Sequence, residues 1–63
     1  MSMTLQQEKE LFQELMTQTT NENVLNDVSR FIGMIDEEIL GGDRGQRPSA
    51  ESFRDALTFM GVI

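Results

Sequence analysis

The chain has 63 residues, which suffices for one small domain. It contains no cysteine and no histidine, which excludes disulfides and the usual zinc sites. The formal net charge is −6, and residues 1–40 carry all of it, with eight acidic and two basic side chains. This balance argues against direct binding to DNA or RNA and favours binding to a basic protein surface.

The N-terminal segment indicates no targeting signal. Residues 1–10 contain no basic stretch followed by an apolar run, which argues against a signal peptide. Ser2 excludes N-myristoylation. No apolar run approaches the roughly 20 residues of a transmembrane helix. We therefore expect a cytoplasmic protein with no membrane partner.

A first helix is predicted over residues 5–17. Thr4 and Gln7 form a T-x-x-Q capping box at its start. Large apolar residues recur on one face, and the polar, β-branched stretch 17–20 favours a break after it. Because the link to the next helix is short, we expect an antiparallel hairpin. The predicted apolar face consists of Leu5, Leu11, Phe12, Leu15 and Met16.

A second helix is predicted over residues 21–40, and its apolar stripe has the spacing of heptad a and d positions. The stripe is wider than a two-stranded coiled coil needs, which indicates packing against more than one neighbour. Thr19 with Glu22, or Asn21 alone, caps the start, and a glycine of Gly41-Gly42 ends the helix. The predicted core or self-association stripe is Leu25, Val28, Phe31, Ile32, Ile35 and Ile39, flanked by Val24.

Two features of this helix oppose local preferences. Gly33 lies in its interior at a cost of about 1 kcal/mol relative to alanine, and is either simply tolerated or marks close approach of another helix. The consecutive acids Asp36, Glu37 and Glu38 lie at the C-terminal end, where negative charge opposes the helix dipole. A positive group is expected nearby, from this chain or from a partner.

Residues 41–48 form a predicted loop, and a third helix is predicted over residues 50–60. Ser49 caps that helix, and Gly61 closes it. The fold class expected is all-α: a helical hairpin plus a short third helix, forming a small three-helix bundle in one domain of residues 1–63. A chain this short is only marginally stable alone, so we expect dimerisation to complete the core. The predicted apolar face of the third helix is Ala50, Phe53, Ala56, Leu57 and Met60.

The sequence contains no constellation typical of catalysis or metal binding. The serines have no evident base beside them, and consecutive acids on a helix fan over about 200° and cannot converge on one ion. We expect a non-enzymatic protein with no cofactor and no metal. Arg44 and Arg47 precede the third helix, where they have three possible roles: pairing with the acids at 36–38, contacting a partner, or binding a phosphate.

Several apolar residues fall outside the main stripes, which is a pattern typical of an interface. The sequence therefore favours a small acidic interaction module that associates with itself and binds or regulates another protein. Two alternatives remain: an acidic mimic of nucleic acid that inhibits a nucleic-acid enzyme, and a scaffolding subunit. The candidate partner contacts are Met34, Asp36, Glu37, Glu38, Leu40, Arg44, Arg47, Phe59 and Ile63, with Val62 as an additional exposed apolar residue.

Overall fold

The computed structural model describes residues 3–42 and 46–63 of the chain. These residues form three α-helices: α1 (Leu5–Gln18), α2 (Glu22–Ile39) and α3 (Ala50–Phe59). The described ranges contain no strand, so the all-α prediction is confirmed. Where helix ends differ from those predicted, they differ by one residue. No helix in the described ranges is long and apolar enough to span a membrane.

Side-chain caps explain where the helices begin. Thr4 and Gln7 form the predicted capping box of α1, with reciprocal bonds of 3.1 and 2.9 Å. At α2 the cap is Asn21, whose Oδ1 accepts from the backbone amides of residues 23 and 24. The Thr19–Glu22 box is therefore wrong, because the Thr19 hydroxyl instead accepts the amide of Asn21 at 3.1 Å.

The C-terminal ends of α2 and α3 share one geometry. Gly41 and Gly61 adopt positive φ values of 81° and 76°, which glycine reaches at low cost. The next amide then bonds back to a carbonyl in the last helical turn: Gly42 to Glu37 at 2.8 Å, and Val62 to Leu57 at 2.9 Å. Both ends are Schellman motifs, which satisfy carbonyls that a helix end leaves unpaired.

The first helix is the centre of the packing. Both α2 and α3 pack on α1, whereas no pair of Cα atoms from α2 and α3 comes within 8 Å. Helix α2 nevertheless contacts more than one neighbour, as the width of its stripe predicted, because the Phe31 ring lies against the rings of Phe12 and Phe53. It meets α3 through side chains only, as when the Phe31 and Phe53 rings approach to 5.3 Å.

Three phenylalanines, one from each helix, hold the core together. Phe12 of α1 lies 5.5 Å from Phe31 and 6.0 Å from Phe53, measured between ring centroids. The rings are tilted against each other, as aromatic pairs prefer. Around them lie the other buried side chains: Leu15, Val24, Val28, Ile35, Ala50 and Leu57.

The buried face of α2 is rotated relative to the predicted stripe. Val24, Val28, Phe31 and Ile35 are buried. Of the predicted seam, Leu25 and Ile32 are only partly buried and Ile39 is 47% exposed. The cause is the aromatic cluster, since turning Phe31 onto Phe12 and Phe53 turns the other edge of the stripe outward.

The core side of α3 is also narrower than predicted. Phe53 packs on the core and Leu57 is buried, but Ala56 and Met60 are exposed. Met60 is the C-cap residue, after which the chain turns back through Gly61. Val62 and Ile63 then pack against the core, although the sequence predicted them to be exposed.

Candidate interaction surfaces

Arg47 joins the three helices at one end of the molecule. Its Nη2 lies 3.0 Å from Glu8 of α1 and 2.7 Å from Glu38 of α2. Its Nη1 donates to the second Glu8 oxygen at 3.2 Å, which makes that pair bidentate. The same Glu8 oxygen accepts the amide of Ala50, the first residue of α3, at 3.2 Å. These bonds fix the ends of α2 and α3 against the first turns of α1.

Burial makes this network stronger than a surface ion pair. The side chains of Arg47, Glu8 and Glu38 are 9%, 13% and 12% exposed. The hydrogen bond from Arg47 lowers the pKa of Glu8 below its usual value, although burial acts in the opposite direction. The same bond raises the pKa of Arg47. Glu8 and Arg47 therefore stay charged at neutral pH.

The positive groups expected near the acidic end of α2 come from this chain. Glu38 is paired with Arg47, and Asp36 is paired with Lys9 of α1 at 2.7 Å. Glu37 is exposed. Arg47 and Glu38 thus serve an intramolecular contact, and their burial leaves little of either for a partner. Arg44 lies outside the described residues.

An apolar surface remains partly uncovered on the side of the α1–α2 pair opposite α3. Because a helix turns by about 100° per residue, Leu25, Ile32 and Ile39 fall on one flank of α2 and Glu38 on the other. Glu38 contacts Arg47 next to α3, so the flank with Ile32 points away from α3. The Lys9–Asp36 pair marks this side. We call its part-exposed side chains the open face: Leu5, Met16, Leu25, Ile32 and Ile39.

Other large apolar residues are exposed at separate places. Leu40 is 87% exposed beside the Arg47 network, and Phe59 is 91% exposed at the far end of α3, with Met60 beside it. Ala50 meets Glu8 near Glu38, and nine residues of helix separate it from Phe59 by roughly 14 Å. Leu40 and Phe59 therefore do not form one patch. Met34, Val62 and Ile63 are partly buried against the core.

An open groove of about 490 Å³ lies between α1 and α3. Carboxylates of Glu10, Glu14 and Glu51 line it together with the Arg54 guanidinium. Polar and apolar atoms line the groove in similar amounts and it opens widely to solvent, so it is a shallow surface depression and not a closed binding pocket. The remaining lining residues are Met3, Gln7 and Leu11.

The acidic side chains that nucleic-acid mimicry would use are partly paired within the chain. Arg47 pairs with both Glu8 and Glu38, Lys9 pairs with Asp36, and Arg30 lies 3.5 Å from Asp27. Glu10, Glu14, Glu22 and Glu37 remain on the exposed surface. Within the described ranges, no three acidic side chains come together in a way that would hold a metal ion.

Sequence reasoning missed the roles of Glu8 and Lys9. Glu8 lies four residues before Phe12 and seven before Leu15, so it shares their inward face. An acid on a buried face needs a cationic partner, and this signal was available in the sequence. The identity of that partner was not, because Arg47 lies 39 residues further along the chain.

Comparison of the chain with protein-family profiles, with curated proteins and with solved structures finds no match.

Proposed function

We propose that the protein is a non-enzymatic interaction module that associates with itself through the open face. One observation carries the proposal. The flank of α2 opposite α3 bears isoleucine and leucine, yet Ile39 remains 47% exposed and no other helix of the described chain covers Ile32 from that side. Burial of such side chains stabilises an assembly by about 25 cal/mol per Å² of apolar surface.

The rest of the surface fits a module of this kind. Phe59 is the last residue of α3 and Met60 is its C-cap, so both lie away from the open face and stay accessible when two copies associate. Aromatic residues and methionine are enriched at protein interfaces. In this proposal they form the contact for a second, different protein.

Paired lysine substitutions at neighbouring positions test the self-association. Ile39→Lys places a charge on the open face, and Leu40→Lys places the same charge one residue further, turned by about 100° away from it. We expect Ile39→Lys to weaken association about tenfold or more, because an unpaired charge would be desolvated. Leu40→Lys and Phe59→Ser should change it by less than about threefold.

Sedimentation equilibrium measures the mass of each variant in solution as a function of its concentration. The wild type should shift from 7.2 kDa towards twice that mass as its concentration rises. A wild type that stays at 7.2 kDa up to about 0.5 mM contradicts self-association. Equal weakening by Ile39→Lys and Leu40→Lys contradicts the assignment to the open face. A mass well above two copies favours the scaffolding alternative.

Salt separates this proposal from acidic mimicry of nucleic acid. Two copies of charge −6 repel each other, so added salt should strengthen apolar self-association. Binding of an acidic mimic to a basic enzyme should weaken with salt. The internal pairing of Glu8, Asp36 and Glu38 makes mimicry the weaker alternative, since these three carboxylates already have cationic partners.

A further inference from the structure

The exposed edge of α2 has a symmetric spacing. Leu25, Ile32 and Ile39 are seven residues apart, so reversing the helix about Ile32 exchanges the other two and restores the same pattern. A heptad spacing keeps the three side chains nearly on one line along the helix. A second copy laid antiparallel on this edge therefore meets Leu25 with Ile39, and Ile32 with its own equivalent.

Charge distinguishes antiparallel from parallel pairing. The last two turns of α2 carry Asp36, Glu37 and Glu38, with no basic residue in the last turn. Parallel pairing would place two such acidic ends side by side, together with the negative ends of both helix dipoles. Antiparallel pairing about Ile32 places each acidic end beside residues 26–28 of the other helix, away from the other acidic end, and the one acid there, Asp27, already lies 3.5 Å from Arg30.

A polar contact has the same symmetry. Asp36 is 48% exposed on its side chain, and Ser29 is exposed one heptad before it on the same line. Reversal about Ile32 brings Asp36 within one residue of the level of Ser29 in the second copy. The serine hydroxyl is a donor for which a carboxylate is a suitable acceptor.

We propose that two copies of this chain pair through antiparallel α2 helices, with a two-fold axis passing at Ile32. This inference rests on the proposed self-association and specifies its geometry. A stable interface buries about 800 Å² per partner, more than a single line of side chains supplies. Leu5 and Met16 of α1 lie on the same open face and widen the contact.

Cysteine cross-linking tests the geometry without background, because the chain contains no cysteine. Single variants Ile32→Cys, Leu25→Cys and Ile39→Cys are oxidised separately, and the last two also as an equal mixture. A disulfide requires Cα atoms within about 7 Å. We expect Ile32→Cys to shift from 7.2 kDa to twice that mass on a non-reducing gel. The mixture should cross-link, and Leu25→Cys and Ile39→Cys alone should not.

The control is Asn26→Cys, an exposed position of α2 away from the open face, which should remain at 7.2 kDa. Circular dichroism and sedimentation of the reduced variants verify that each is folded and associated. Self-linking of Leu25→Cys alone, or no linking of Ile32→Cys in a chain that sediments as a dimer, overturns the antiparallel geometry. A wild type that sediments as a monomer overturns the proposed function itself.

Discussion

At the scale of single residues, Arg47 is the side chain that links the most elements of the fold. It contacts a carboxylate from each of two helices and lies directly before α3. A buried ion pair need not stabilise more than apolar residues of the same size. Removing Arg47, however, leaves both Glu8 and Glu38 buried without a counter-charge, so the two acids depend on this one residue.

Substitution of Arg47 therefore should have a large effect. We expect Arg47→Met to lower the free energy of unfolding by about 3 kcal/mol, because Glu8 and Glu38 lose their counter-charge. Arg54→Met is the matched control, since Arg54 is exposed and meets Asp55 at 3.7 Å. It should cost less than about 0.5 kcal/mol in urea unfolding. Equal losses for the two variants would show that the network is not stabilising.

The lowered pKa of Glu8 makes stability depend on pH in a definite direction. The unfolded carboxyl has a pKa near 4.5 and the folded one a lower value, so the unfolded state binds more protons as pH falls. The contribution of Glu8 should be complete above the unfolded pKa and should be lost as pH falls through the folded pKa.

Comparison with Glu8→Gln isolates this contribution from the other acids. The stability difference between the wild type and the variant, measured by urea unfolding at several pH values, should shrink as the solution is acidified below about pH 4.5. A difference that is constant or grows on acidification would contradict the assignment of the pKa shift to the Arg47 contact.

At the scale of the helix, glycine is unfavourable at Gly33, inside α2, and is required by the backbone at Gly41, just after α2. A Cβ at Gly33 would meet nothing within 4 Å, and its backbone is helical. Gly41 has a φ of +81°, which a side chain disfavours. Among the described residues of this chain, no helix approaches Gly33 closely, so the alternative that Gly33 marks such an approach has no support within the chain.

The two glycines should respond to alanine with opposite signs. We expect Gly33→Ala to raise the free energy of unfolding by about 0.5–1 kcal/mol and Gly41→Ala to lower it by about 1–2 kcal/mol. Urea unfolding at low protein concentration measures both. If Gly33→Ala is destabilising, or reduces the mass in sedimentation, then a partner helix packs against this side of α2.

Local signals account for the parts of the fold that the sequence predicted. The capping residues Thr4 and Ser49 and the closing glycines act within a few residues of each helix end, so spacing alone locates them. The rotation of α2 was not predictable in this way. Val28 and Ile35 lie at the middle of the apolar surface of α2, with Val24 and Phe31 along one edge and Leu25 and Ile32 along the other. Only contacts with the other two helices decide which edge is buried.

At the scale of the whole molecule, α1 is the centre and α2 has one side left open. Phe12 of α1 contacts a ring from each of the other helices, and Glu8 contacts Ala50 of α3 and Arg47, which in turn binds Glu38 of α2. Among the described residues, no fourth helix lies over the open face. We propose that a second copy covers the open face and buries the apolar side chains that the three helices leave exposed.

The dependence of thermal unfolding on protein concentration tests this account most directly. If folding and pairing are linked, the melting temperature should rise by about 5–10 °C between about 5 µM and 500 µM, because higher concentration favours the associated folded state. Ile39→Lys should abolish the rise, and Leu40→Lys should retain it. A wild type whose melting temperature is the same at both concentrations would contradict the central claim that the open face is covered by a second copy.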